Sequence, residues 1–77
     1  MFGLNMRMVE QLRATWTPGT RVVCHSMMGE PRYSGRHGTV ESVDDAGQVH
    51  VCWDGGGSLA LIYGEDEWTK EDVRNGE

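Results

Sequence analysis

Residue types that bind metals or transfer protons are concentrated in one short stretch, VDDAGQVHVCWDGGG at residues 43–57. They are Asp44, Asp45, His50, Cys52 and Asp54. Neighbouring carboxylates can act as general acid and base, and a histidine with a cysteine can bind zinc. Either chemistry requires the backbone to bring these side chains together in an enclosed site.

The aspartates of this stretch are better explained as turn formers. Asp44 and Asp45 come directly before Ala46 and Gly47, which fits a type I turn closed by a glycine with positive φ. Asp54 comes directly before three glycines and fits a second tight reversal. General acid–base chemistry needs an enclosed cleft to shift the pKa values of paired acids, whereas a hairpin tip is open to water. We therefore expect no general acid–base site here.

A zinc site is also disfavoured. Its candidates are Cys24 with His25 and His50 with Cys52. Adjacent residues of a strand point to opposite faces, so Cys24 and His25 cannot reach one ion. We interpret His50 and Cys52 as surface residues and Cys24 as a core residue, and we expect neither a metal nor a cofactor.

Motifs of catalysis do not occur in the sequence. There is no GxSxG nucleophile motif, and the glycines at 55–57 lie between two predicted strands rather than before a helix. We therefore expect the protein not to be an enzyme.

Length and composition favour one small domain. A chain of 77 residues has room for one core, and no apolar run approaches the roughly 20 residues that cross a bilayer. The start, MFGLNMRMVEQL, lacks the uninterrupted apolar segment of a signal peptide. We expect the protein to be cytoplasmic.

Charge is unevenly distributed along the chain. Residues 1–43 carry five arginines and three glutamates, a net charge of +2. Residues 44–77 carry nine acidic residues against Lys70 and Arg74, a net charge of −7. A nucleic-acid backbone would be repelled by much of this second half.

The spacing of apolar and turn residues predicts one helix followed by short strands. The helix covers 4–14, with Asn5 as N-cap and with Met8, Leu12 and Trp16 at helical spacing. Residues 26–36 form a long loop. Strands are predicted at 20–25, 37–43, 48–53 and 58–63, with a last strand or helical turn at 69–73.

Two of these strands have a clear inward face. Val49, Val51 and Trp53 alternate with outward-facing residues in the third strand, and Leu59 and Leu61 are predicted to point inward in the fourth.

The predicted fold class is mainly β, a small SH3-like partly open barrel of four to five antiparallel strands with a short N-terminal helix. The predicted divisions are a helical extension at 1–16, the barrel at 17–73 and a frayed tail at 74–77. A three-stranded sheet with the helix across one face is the alternative architecture.

Four segments carry a resemblance to a known family: GTRV at 19–22, GRHGTV at 35–40, the stretch 43–61 and GEDEW at 64–68. Together they give the pattern GTxV…GxxGTV…VDDxGxxHVxWDxGxxL. This pattern resembles a family of short uncharacterised proteins from phages, mobile elements and bacteria.

The resemblance covers roughly residues 17–70. It implies an SH3-like fold, a mobile-element origin and, for a phage gene, the host cytoplasm. The helix before Thr15 is interpreted as an addition to the family pattern, and the GEDEW segment is more acidic than that pattern. No reaction is implied.

Our first functional hypothesis is a protein-binding module. Its acidic surface would imitate nucleic-acid phosphates and occupy the basic groove of a host defence complex, as an anti-CRISPR or anti-restriction inhibitor. The residues assigned to this surface are Glu65, Asp66, Glu67, Trp68, Glu71 and Asp72, with Asp44, Asp45 and Asp54 nearby.

Two alternatives remain open. The GxxGTV element resembles part of ribosomal KOW domains, and direct nucleic-acid binding would use Arg21, Arg32, Tyr33, Arg36 and His37. A homodimer or accessory subunit would instead use the apolar helix face. That face comprises Phe2, Met6, Met8, Leu12 and Trp16.

Overall fold

The protein folds as one helix followed by a five-stranded sheet. The computed structural model describes residues 5–27 and 29–71, so Phe2, Asp72 and the predicted tail at 74–77 lie outside the described residues. The elements are α1 (Met6–Thr15), β1 (Arg21–Ser26), a 3₁₀ turn (Pro31–Tyr33), β2 (His37–Val43), β3 (Gln48–Trp53), β4 (Leu61–Ile62) and β5 (Glu67–Lys70).

Helix α1 begins where the sequence predicts. The side-chain oxygen of Asn5 accepts a hydrogen bond from the Met8 amide at 2.9 Å, which satisfies one of the unpaired N–H groups of the first turn. Val9 and Leu12 are buried against the sheet. No helix in the described part of the chain is long and apolar enough to span a bilayer.

The strands are antiparallel and run in the order β4-β3-β2-β1-β5. Strands β1 to β4 form a meander, and β5 returns to pair with β1. The sheet does not close, so β4 and β5 are its edges. This confirms the predicted mainly β class with a short N-terminal helix, and the three-stranded alternative is wrong.

The core lies on one face of the sheet and follows the predicted alternation. Val49, Val51 and Trp53 of β3 are buried, and Val22 and Cys24 of β1 are buried beside them. Close packing requires Gly38 on β2, because a Cβ atom there would lie 2.5 Å from Val51 Cγ1 and 3.0 Å from the Trp53 ring.

The fourth strand is shorter than predicted. The sequence predicts a strand at 58–63, whereas β4 contains only Leu61 and Ile62, and Leu59 is 37% exposed. Three successive glycines at 55–57 adopt positive φ, so the reversal after β3 uses more residues than a tight hairpin. The prediction that Leu59 points inward is wrong, and that for Leu61 is confirmed.

The last strand begins earlier than the predicted 69–73. Trp68 packs against the core cluster and lies opposite Cys24 in the β1–β5 ladder, so the pairing starts at Glu67 and β5 ends at Lys70.

Candidate functional site

The stretch that first suggested a reaction centre builds a turn. Asp44 Oδ1 accepts hydrogen bonds from the backbone amides of Ala46 and Gln48 at 3.0 and 2.9 Å, and Gly47 has a φ of 83°. Asp44 Oδ2 lies 2.9 Å from Nε2 of His50. The His50 ring and then the Gln48 amide hold the pKa of Asp44 below its usual range. Asp44 is therefore the turn former that the sequence predicts.

Asp45 connects this turn to the helix. Its Oδ1 lies 2.7 Å from Nη2 of Arg13, and Arg13 Nε donates to the Val43 carbonyl at 3.0 Å. The pair is exposed, so it contributes orientation more than stability.

Asp54 and Glu71 share one arginine on the outer face of the sheet. Arg21 Nη1 and Nη2 contact the two oxygens of Asp54 at 2.8 and 2.6 Å, and Nη2 lies 3.2 Å from Glu71 Oε2. Arg21 Nη1 also donates to the Thr39 hydroxyl. His37 Nδ1 lies 2.7 Å from the same Glu71 oxygen. We call Arg21, His37, Asp54 and Glu71 the outer charge cluster.

The outer charge cluster joins residues that the sequence assigned to two opposing surfaces. Arg21 lowers the pKa of Asp54, and Arg21 followed by His37 lowers the pKa of Glu71. In return, Asp54 and then Glu71 raise the pKa of Arg21. The side chains of this cluster therefore pair with one another within the protein.

Most of the remaining residues of the predicted nucleic-acid surface also make contacts within the protein. Arg36 stacks over the Tyr33 ring with 4.6 Å to its centroid, and its Nη2 donates to the carbonyls of Asp54 and Gly56. Arg32 is the exception, with a side chain 82% exposed and only a 3.7 Å contact to Glu30. One exposed cation is a small surface for a nucleic-acid backbone.

Asp66 does not belong to an exposed acidic surface. It is only 9% exposed, and its Oδ2 accepts the Ile62 amide at 2.8 Å inside the β4–β5 turn. The sequence placed Asp66 on the binding surface. It lines the groove described next, but the turn uses its carboxylate as a backbone acceptor.

A surface groove brings the rest of the acidic segment against aromatic rings. It has a volume of about 590 Å³, and we call it the aromatic–acidic groove after Trp16, Tyr63, Glu65, Glu67 and Trp68. The rings of Trp16 and Trp68 pack 5.5 Å apart at a tilt of 57°. Both glutamates are exposed, and no basic side chain within 5–27 and 29–71 forms an ion pair with them.

One ring of this groove already has a cation beside it. Nζ of Lys70 is 5.7 Å from the centroid of the Trp16 ring. Tyr63, on another wall, is 51% exposed, which is high for a large aromatic side chain. These rings present faces that attract positive charge.

A smaller groove adjoins the first. Its volume is about 240 Å³, and its walls on α1 are Met8, Gln11, Leu12 and Thr15. Trp16 and Tyr63 line both grooves. We call the smaller one the helix groove.

The residues of α1 that were predicted to form a dimer face do not lie on one exposed face. Leu12 is buried, Met6 is exposed, and Trp16 packs against Trp68. No local pattern in the sequence indicates that Trp16 meets Trp68, because the contact joins residues far apart in the chain.

The two cysteines occupy the environments predicted for them. Cys24 is buried and Cys52 is exposed, and burial raises the pKa of the Cys24 thiol. Within the residues that the structure describes, no three His, Cys, Asp or Glu side chains are arranged to hold a metal ion.

Fold and grooves together define a small mainly β domain with an aromatic–acidic groove on its surface. The chain belongs to the family described as Domain of unknown function (DUF4314), whose family model matches residues 5–71. The match includes α1, so the expectation that this helix is an addition to the family pattern is wrong. Neither the curated proteins nor the solved structures contain a significant match.

Proposed function

We propose that the protein is a non-enzymatic protein-binding module, and that the aromatic–acidic groove binds a positively charged segment of another protein. The observation that carries this proposal is the position of Glu65 and Glu67. Both carboxylates are exposed beside three aromatic rings, and no described basic side chain neutralises them.

The groove is a better candidate than the whole acidic half of the chain. Asp54 and Glu71 are paired with Arg21, Asp45 is paired with Arg13, and Asp66 is buried. Imitation of nucleic-acid phosphates needs several unpaired carboxylates on one face, whereas a groove for a basic side chain needs only two. Inhibition of a host defence complex by a phage-encoded protein stays a prediction from the family resemblance.

The groove combines two interactions that favour a guanidinium or ammonium group. An aromatic face attracts a cation with about 0.5–1 kcal/mol at an exposed site. Hydrogen bonds to charged carboxylates add roughly 1.5–3 kcal/mol. Such a site binds a single basic residue weakly, with a dissociation constant on the order of 1 mM, which corresponds to about −4 kcal/mol.

The test is an NMR titration with the pentapeptide acetyl-Ser-Arg-Ser-Ser-Ser-amide. We expect the indole N–H signals of Trp16 and Trp68 to shift with the peptide concentration, and the shifts to shrink with added salt. The double variant Glu65→Gln/Glu67→Gln should bind at least fivefold more weakly.

A matched control separates the groove from general charge. Glu10→Gln/Glu41→Gln removes the same charge from two exposed glutamates that do not line the groove, and it should bind like the unmodified protein. The proposal is wrong if the peptide leaves both indole signals unchanged, or if the two double variants bind equally well.

A further inference from the structure

We infer that the two adjoining grooves recognise two side chains of one extended peptide, a basic residue in the aromatic–acidic groove and an apolar residue in the helix groove. This inference rests on the proposed function and adds the sequence class of the partner. It comes from a separate observation, which is that a second groove shares Trp16 and Tyr63 with the first.

The two grooves differ in chemistry. The aromatic–acidic groove contains Glu65 and Glu67, whereas the helix groove is lined by Met8, Leu12 and uncharged polar side chains. A cation in the helix groove meets no carboxylate, while an apolar side chain there removes its own surface and that of Met8 from water.

The size of the helix groove limits its occupant. At about 240 Å³ it is smaller than the roughly 300–1,000 Å³ of sites that enclose a whole small-molecule ligand. It has room for one side chain of a longer ligand. The half-exposed Tyr63 lines both this groove and the one proposed for the basic side chain.

The shared wall sets the spacing of the two recognised residues. Both side chains must leave the ligand on the same side, and in an extended chain residues two positions apart do so. Two positions in an extended chain span about 7 Å. The partner segment is therefore expected to contain arginine and leucine, or similar residues, separated by one position.

The experiment compares three pentapeptides of equal length and charge. Acetyl-Ser-Arg-Ser-Leu-Ser-amide and acetyl-Ser-Leu-Ser-Arg-Ser-amide carry the pair in the two chain directions, and acetyl-Ser-Arg-Ser-Ser-Ser-amide lacks the leucine. We expect one of the paired peptides to bind about tenfold more tightly than the peptide without leucine, measured by the Trp16 and Trp68 indole shifts.

Two protein variants test whether the tenfold gain in affinity comes from the helix groove. Gln11→Trp fills the helix groove from an exposed position and should abolish the tenfold gain over the arginine-only peptide. Glu10→Trp places the same ring on the neighbouring exposed position, which does not line the groove, and should keep the gain.

The outcomes separate this inference from the proposed function. If the arginine-only peptide binds at the indoles but neither paired peptide binds more tightly, the two-residue recognition is wrong and the proposed function stands. Equal loss in Gln11→Trp and Glu10→Trp also contradicts it. If none of the three peptides binds, the proposed function fails and this inference fails with it.

Discussion

Arg21 at the start of β1 binds Asp54, the residue after β3, with both ends of its guanidinium group, at 2.8 and 2.6 Å. The same guanidinium contacts Glu71, the residue after β5, and Thr39 on β2. One side chain thus links β1 to β2, to the end of β3 and to the end of β5. It holds β5 at the edge of an open sheet.

Replacing Arg21 with Met is expected to lower the melting temperature by several degrees. The substitution removes the shared partner of Asp54 and Glu71 and leaves the two carboxylates facing each other. Thermal unfolding followed by circular dichroism measures the change. Arg32→Met removes an arginine that is 82% exposed and should unfold like the parent protein. Equal melting temperatures for the two variants would contradict the role of Arg21.

Acid is expected to weaken the fold through the same carboxylates. Asp54 and Glu71 have folded-state pKa values below their ordinary ones, so they bind protons more readily in the unfolded chain. Their stabilisation is fully present above the unfolded pKa values, near pH 4, and is lost as the pH falls through the lower folded values. Urea unfolding between pH 7 and pH 2.5 measures this loss.

A comparison with Arg21→Met tests the cause of the acid effect. Without Arg21 the largest cause of both lowered pKa values is gone, so the free energy of unfolding should fall less steeply below pH 4 than in the parent protein. Parallel pH profiles would show that other carboxylates, such as Asp44, dominate acid unfolding.

Elements with local signals could be predicted from the sequence. Asn5 caps α1, and β2 and β3 have the bounds that their β-branched residues and flanking glycines indicate. Asp44 and Gly47 form the predicted turn. In each case the residues that decide the structure lie within a few positions of one another.

The candidate site could not be predicted in the same way. Trp16 meets Trp68 only because the chain returns to place β5 beside β1. Arg21 meets Asp54 because β2 pairs with both β1 and β3 and so brings the start of β1 near the end of β3. The distribution of charge along the chain therefore suggested separate acidic and basic surfaces. In the folded protein, Arg21 of the basic set instead pairs with Asp54 and Glu71 of the acidic set. The members of the predicted acidic set that line the groove are Glu65, Asp66, Glu67 and Trp68.

Gly38→Ala is expected to destabilise the protein by about 2 kcal/mol, because the added methyl group overpacks the core. Its Cβ would lie 2.5 Å from Val51 Cγ1 and 2.9 Å from the Cys52 carbonyl oxygen. Gly64→Ala meets open space and has only its φ of +94° as a cost, about 1 kcal/mol. Urea unfolding of both variants measures the difference, and a smaller effect at Gly38 would show that β2 and β3 can move apart.

Asp66→Ala is expected to cost about 1–2 kcal/mol, because the Ile62 amide loses its acceptor inside the β4–β5 turn. Glu65→Ala changes the exposed neighbouring residue and should alter stability by less than about 0.5 kcal/mol. The two variants also differ in how they affect the groove. Asp66→Ala should broaden the Trp68 indole signal as the turn loosens, and an unchanged spectrum would show that the turn does not position the groove.

The two thiols are expected to react at very different rates with a disulfide reagent such as Ellman's reagent. Cys52 is exposed and should react at once, whereas Cys24 lies buried in β1 between β2 and β5 and has a raised pKa, so it should react only when the sheet opens.

In a Cys52→Ser variant the single remaining thiol then reports the opening of β1. Adding Arg21→Met to that variant should speed its reaction, since β5 loses its link to β1 and to the end of β3. If Cys24 reacts as fast as Cys52 in the parent protein, β1 is not a central strand of a stable sheet.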